Sequence, residues 1–171
     1  TGSNPLVLPI PGINDTGVIH AGDLLDGKAS VGKKVLVVGG GMVGCEVADF
    51  LGELGHEVSV IELRDQLGPD VIPEHRKFLM KDFEAYKEQG VTGAKVAQFF
   101  TDGVSYTLAD GTEGRLEGFD NVVLAMGYRN NDTISEEIKK IVAETYVIGD
   151  AVKARKALDA TAEGLNTALE I

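Results

Sequence analysis

Residues 33–62, KKVLVVGGGMVGCEVADFLGELGHEVSVIE, decide the fold. After two lysines, residues 35–38 (VLVV) form a short apolar run suited to a strand buried on both faces. Gly39, Gly41 and Gly44 follow in G-x-G-x-x-G spacing. The first permits a tight turn, the second lets a pyrophosphate approach bare backbone, and the third lets the next helix pack on the strand. That helix is expected to run to about Leu54, its unpaired first amides and positive dipole end forming a site for phosphate oxygens. After a turn at Gly55 and His56, residues 58–61 (VSVI) make a second strand. It ends at Glu62, 23 positions beyond Gly39. This matches the usual distance of about 20 to a carboxylate that accepts hydrogen bonds from an adenosine ribose. A glycine-rich turn alone is weak evidence, but here the strand, the helix period and the terminal acid agree.

The unit implies an α/β, Rossmann-like, three-layer dinucleotide-binding domain with a parallel sheet. Expected nucleotide contacts are Gly39, Gly40, Gly41, Met42, Val43 and Gly44 in the turn, and Glu62, Leu63 and Arg64 after the second strand. The 171 residues suffice for one ordinary domain with a real core. Apolar runs never approach the roughly 18 residues of a membrane span. A net charge of −11 argues against nucleic acid or an anionic membrane as partner. Dinucleotide phosphates must therefore be held by local amides. Cys45 is the single cysteine, which excludes an internal disulfide or a C-x-x-C redox pair, and a reducing cytoplasm is the natural setting. The thiol reads as buried filler. His20, His56 and His75 lack ligand-like spacing, so no metal site is expected.

Outward from this unit, residues 1–14 carry Pro5, Pro9 and Pro11 among apolar residues and read as an extended connector. Residues 18–25 form a short apolar stretch containing His20, read as a packing residue. Residues 63–73 read as a loop punctuated by Gly68, Pro69 and Pro73. A helix begins at Pro73 and Glu74, with Leu79, Phe83 and Tyr86 on its apolar face, and Gly90 is expected to stop it. Between 91 and 116, short runs divided by Asp102-Gly103 and Asp110-Gly111 predict a small antiparallel meander, with both aspartates as turn residues. Residues 119–125 (FDNVVLA) predict a buried strand closed by Met126 and Gly127. Beyond Tyr128 come a polar loop, a short helix at 135–140, a brief strand at 145–148 closed by Gly149 and Asp150, and a last helix from about Asp159 to Ile171 capped by Asp159 or Thr161.

Several of these motifs resemble the pyridine-nucleotide flavoproteins with two dinucleotide-binding domains. GGGMVGCEVA (39–48) resembles their NAD(H) domain, where a Glu stands two places after the third glycine; here it is Glu46. VVLAMGYRNN resembles the strand-to-turn motif that ends that domain, usually ATG, with Met126 replacing Thr beside Ala125 and Gly127. YVIGDA resembles the short motif whose aspartate touches the ribityl or phosphate region of FAD, a role that falls to Asp150 beside Gly149. TGSNPLVLPIPG is similar to the segment after the first ATG-type strand, lacking only the Ala, so Thr1 to Ser3 read as native. The combination most resembles the C-terminal portion of NADH:flavin oxidoreductases related to 2,4-dienoyl-CoA reductase, enoate reductases and trimethylamine dehydrogenase. In that family the resemblance implies an FMN-bearing barrel and a 4Fe–4S cluster on a preceding region.

One feature of the pattern is missing: the family's FAD domain opens with its own glycine turn, and only one such turn occurs here. The expected organisation is therefore a connector and partial FAD-domain border at 1–30, an NAD(H)-binding domain at 31–127, and a second partial border with the C-terminal helix at 128–171. The implied function is an NAD(H) module that positions NADH for hydride transfer to FAD in a full-length enzyme. Its partners would be NADH, the rest of the FAD domain and the FMN barrel. The chemistry belongs to nicotinamide and flavin, so no catalytic side chain is assigned. A non-catalytic NAD-sensing domain is the alternative, against which Gly149 and Asp150 speak, since a sensor has no reason to carry them. A complete dehydrogenase would need a catalytic acid or base that the sequence does not offer.

Overall fold

A computed structural model describes residues 1–14, 17–87 and 89–171. The chain divides into two compact units, one comprising Val7–Gly127 and the other Thr1–Leu6 with Tyr128–Ile171. In chain order the elements are β1 (Ser3–Pro5), β2 (Ile19–His20), α1 (Ala21–Leu25), β3 (Lys34–Val38), α2 (Met42–Glu53), β4 (Glu57–Ile61), α3 (Pro73–Tyr86) and β5 (Gln89–Val91). They continue with β6 (Ala94–Phe100), β7 (Gly103–Leu108), β8 (Glu113–Leu116), β9 (Asn121–Leu124), β10 (Tyr128–Asn130), α4 (Ser135–Lys139) and α5 (Ala157–Glu170).

The larger unit is built on a five-stranded parallel sheet in the order β2-β9-β3-β4-β5. Successive residues of a strand point to opposite faces, and β3 supplies both cores. Val35 and Val37 join Val58, Val60 and Val123 beneath α1, α2 and α3, whose Leu24, Cys45, Val47, Leu51, Leu79 and Phe83 complete that core. Leu36 and Val38 face the other way with Ile61, Val122 and Leu124, where Phe99 and Val104 of the meander cover them. The meander is the antiparallel sheet β6-β7-β8. Three layers result: helices, parallel sheet, antiparallel sheet. The apolar run of β3 therefore reflects burial on two faces, as its lack of alternation implies.

Asp102 and Asp110 are turn residues. Asp102 accepts the Gly118 N–H at 3.1 Å, and Asp110 accepts the Thr112 N–H at 2.8 Å. His56 is structural too, with Nδ1 2.7 Å from the Gly32 carbonyl. Two expectations need correction. Gly90 does not stop α3; the helix ends at Tyr86, with Lys87 in the left-handed region at φ 59°. Gly90 instead lies in β5, paired with Val60 of β4, where an added Cβ would meet Leu67 Cδ1 at 2.9 Å. Tertiary pairing ends the helix where the edge strand must begin. The apolar stretch at 18–25 forms β2 and α1. Residues 145–148 form no strand, because nothing among the described residues pairs with them.

In the smaller unit β1 and β10 form an antiparallel pair, with Pro5 opposite Tyr128. Its last helix, α5, starts at Ala157, and the Asp159 carboxylate accepts the Lys156 N–H at 3.1 Å. Asp159 thus serves the helix start from its first turn, as the third residue rather than the cap itself. No residue of α5 is buried. No helix among the described residues is long and apolar enough to cross a membrane.

Candidate functional site

A cleft of about 520 Å3 opens over the C-terminal ends of β3, β4 and β9 in the larger unit. This is the end of an open α/β sheet where ligands bind. Its back wall is the glycine turn. Gly39 has φ +103°, and a Cβ there would lie 2.5 Å from the Ala125 carbonyl oxygen, so only glycine turns the chain this close to β9. A Cβ on Gly44 would come within 1.8 Å of the Gly39 carbonyl, which is how α2 lies so near the strand it follows. At Gly41 the obstruction is of another kind: an added Cβ would touch only side-chain tips, Arg64 Nη2 at 3.1 Å and Asp70 Oδ at 3.5 Å. Its backbone therefore faces the cleft.

Glu62 lies at the end of β4, with 6% of its surface exposed. Its Oε2 accepts the Gly40 N–H at 2.5 Å, while Oε1 accepts the Arg64 N–H at 2.8 Å and Arg64 Nε at 2.9 Å. Burial pushes the carboxyl up, but these Arg64 and Gly40 donors together hold it below the ordinary Glu range. It is a fixed, ionised acceptor. A carboxylate has about four lone-pair sites. Three donors already engage it, so a further hydroxyl finds one place with Arg64 where it stands, and a second when the guanidinium moves aside.

The Arg64 guanidinium runs from Glu62 toward Asp70, with Nη2 3.8 Å from Asp70 Oδ1. Asp70 also accepts the Met42 N–H at 3.1 Å, on the first residue of α2. The sequence reading missed Asp70, which lies in a polar loop whose composition carries no signal of its position. It missed as well Leu8, Ile10, Lys95 and Val96, which line the cleft from the N-terminal segment and the meander.

Of the residues picked out by sequence, Gly39, Gly41, Met42, Val43, Glu62, Leu63, Arg64, Ala125, Met126 and Gly127 line this one cleft. Gly40 lies just behind it, donating to Glu62. Gly44 is buried under the turn, and Glu46 is exposed on α2 and does not line the cleft. Cys45 is fully buried, with Sγ 3.4 Å from the Gly40 carbonyl oxygen, and burial pushes its thiol up to about 11. Gly149 and Asp150 belong to the smaller unit. The Gly149 N–H donates to Glu163 at 2.7 Å. The Asp150 carboxylate accepts Ser3 Oγ at 3.0 Å and the Arg155 N–H at 3.1 Å. Arg155 also pairs with Glu163, and that contact, followed by the Gly149 amide, holds the Glu163 carboxyl below its ordinary range. No group of three or more His, Cys, Asp or Glu that could hold a metal occurs among the described residues.

A parallel sheet, a glycine turn at a helix start and an ionised acid at the end of the next strand define a dinucleotide-binding α/β domain. The chain belongs to the pyridine nucleotide-disulphide oxidoreductase family, whose pattern it matches over residues 1–164. It is 35% identical to an NADH oxidase of Thermoanaerobacter brockii over 181 residues, covering 100% of this chain and 27% of that protein. With a cinnamate reductase of Clostridium sporogenes it shares 30% identity over 158 residues, 91% of this chain and 23% of the relative. Among solved structures, 2-naphthoyl-CoA reductase in complex with 2-naphthoyl-CoA superposes with a TM-score of 0.89 at 30% identity, over 100% of this chain and 26% of that one. Together these similarities support a flavoprotein pyridine-nucleotide oxidoreductase related to enoate-reductase-type enzymes, and the chain spans roughly a quarter of the length of these relatives.

Proposed function

We propose that this chain is the NAD(H)-binding part of a flavin-dependent oxidoreductase, which positions NADH for hydride transfer to FAD in a longer polypeptide. The observation that carries the reading is the cleft itself, where the bare backbone of Gly41, the start of α2 and the ionised Glu62 converge. The α2 amides take the pyrophosphate, Glu62 accepts from the adenosine ribose, and Ala125, Met126 and Gly127 flank the nicotinamide half. Bound nicotinamide supplies the hydride; the protein binds and orients it.

In this reading the smaller unit, with the segment leading into the larger one, is the border of an FAD domain. Gly149 and Asp150 fit that origin, yet the Gly149 amide and both Asp150 carboxylate oxygens are engaged by Glu163, Ser3 and Arg155. No second glycine turn is present to hold the flavin's phosphates. The chain as purified is therefore expected to carry no flavin and to oxidise NADH at no appreciable rate. A single buried cysteine does not fit an iron–sulfur cluster, so the FMN barrel and 4Fe–4S cluster implied by the family resemblance would belong to other parts of the polypeptide.

Titration with both nucleotides tests the reading. A carboxylate at the ribose repels the 2′-phosphate of NADPH, and close charge repulsion near a surface is worth on the order of 1 kcal/mol or more, about fivefold or more in affinity. NADH should bind the tighter, and Glu62→Ala should narrow the gap chiefly by weakening NADH. Equal wild-type affinities would show that Glu62 does not meet the ribose.

A further inference from the structure

One amide at the start of α2, that of Met42, already has an anionic acceptor, and it is the protein's own. Asp70 Oδ1 accepts the Met42 N–H at 3.1 Å. Independently, both Asp70 carboxylate oxygens lie 3.5 Å from where a Cβ on Gly41 would stand, over the glycine that faces the cleft. Arg64 also reaches it, with Nη2 3.8 Å from Asp70 Oδ1. The Asp70 side chain is 46% exposed, so it can leave this position without disturbing the core.

We infer that Asp70 is an affinity-setting residue of the nucleotide cleft: its carboxylate occupies the place of the pyrophosphate and must be displaced for a dinucleotide to bind. The inference rests on the nucleotide reading of the cleft given above. Asp70 takes one of the helix-start amides and its charge repels a second anion brought beside it, so a pyrophosphate must compete with it for this place. Binding therefore includes breaking the contact of Asp70 with Met42 and loosening Arg64. The arrangement weakens nucleotides in proportion to the charge they place at α2, and leaves ligands without phosphate untouched.

The experiment measures dissociation constants of NADH, ADP and adenosine for the full chain, wild type and Asp70→Asn. Asparagine keeps an acceptor for the Met42 amide and removes the charge, so the contact with the start of α2 is retained. The variant is expected to bind NADH and ADP about fivefold tighter, the size of effect of one exposed charge at a helix N-terminus, with adenosine unchanged. Asp70→Ala, which removes the charge and the acceptor together at a half-exposed position, should give the same pattern and serves if the asparagine variant is unstable. Unchanged or weaker NADH binding by the neutral variants, with wild type binding normally, overturns the inference while leaving the nucleotide reading in place. An equal gain for adenosine overturns it as well, since the effect would then not involve phosphate. Failure of all three proteins to bind NADH overturns the nucleotide reading and the inference together.

Discussion

At Glu62 burial and hydrogen bonding oppose each other, and hydrogen bonding wins. The carboxyl is held below its ordinary value of 4.5 although desolvation pushes it up. A group whose acidity rises on folding binds its proton less readily in the folded state, so its stabilising contribution is fully present above that ordinary value. The contribution is lost as pH falls from 4.5 through the lower folded value. Chemical denaturation of wild type and Glu62→Gln from pH 7 downward should therefore show a stability gap that narrows once the pH drops below about 4.5. A gap constant down to pH 3 would mean that the Gly40 and Arg64 donors do not discriminate ionised from neutral carboxyl. Cys45 gives a simpler expectation. With no exposed surface and its thiol pushed up to about 11, it should resist thiol reagents at pH 8 and react only as the chain unfolds. Rapid labelling of native protein would contradict the packing of α2. Glu62 was legible in the sequence because a fixed distance from the glycine turn marks it. Asp70 was not, because only the folded loop brings it to Met42, 28 positions away along the chain.

The turn and α2 form one element with two kinds of glycine in it, and substitution separates them. Gly44→Ala drives a methyl into the Gly39 carbonyl, backbone that cannot yield, so we expect a stability loss of about 3 kcal/mol or more by denaturant titration. Gly41→Ala meets only the movable ends of Arg64 and Asp70. It should stay folded, within about 1 kcal/mol of wild type, while losing nucleotide affinity at least tenfold. Equal stability losses at the two positions would contradict the geometry. Elements with their own periodicity or turn chemistry could be read from the sequence: β3, α2, β4, most of α3, and the meander with its two Asp-Gly turns. Those that exist through a partner could not. β5 is three residues long, begins with Gln89 and contains Gly90, and only its pairing with β4 makes it a strand. Residues 145–148 have strand composition but no neighbour to complete a ladder. Composition specifies an element only when a surface is present to receive it.

Across the whole molecule, burial is unevenly shared. β3, β4 and β9 carry a core closed on two faces, whereas α5 leaves Leu158, Leu165 and Leu169 more than half exposed. Amide exchange should accordingly be slowest in the parallel sheet and close to unprotected in α4 and α5, and limited proteolysis should cut within 128–171 first. Protection in α5 equal to that in β3 would show that the helix is stabilised by more than its own contacts. The pairing of β1 with β10 has a kinetic consequence. Leu6 and Tyr128 flank the larger unit in the chain, and Pro5 stands opposite Tyr128, so the one ladder among the smaller unit's described residues joins strands separated by everything from Val7 to Gly127. Closing so long a loop in an unfolded chain costs about 5 kcal/mol of entropy, far more than a three-residue ladder returns. The ladder must therefore form last in refolding, after the larger unit has drawn its own ends together. Unfolding that unit dissolves the ladder, while the reverse does not hold: the larger unit is the clasp, and the order of assembly runs one way.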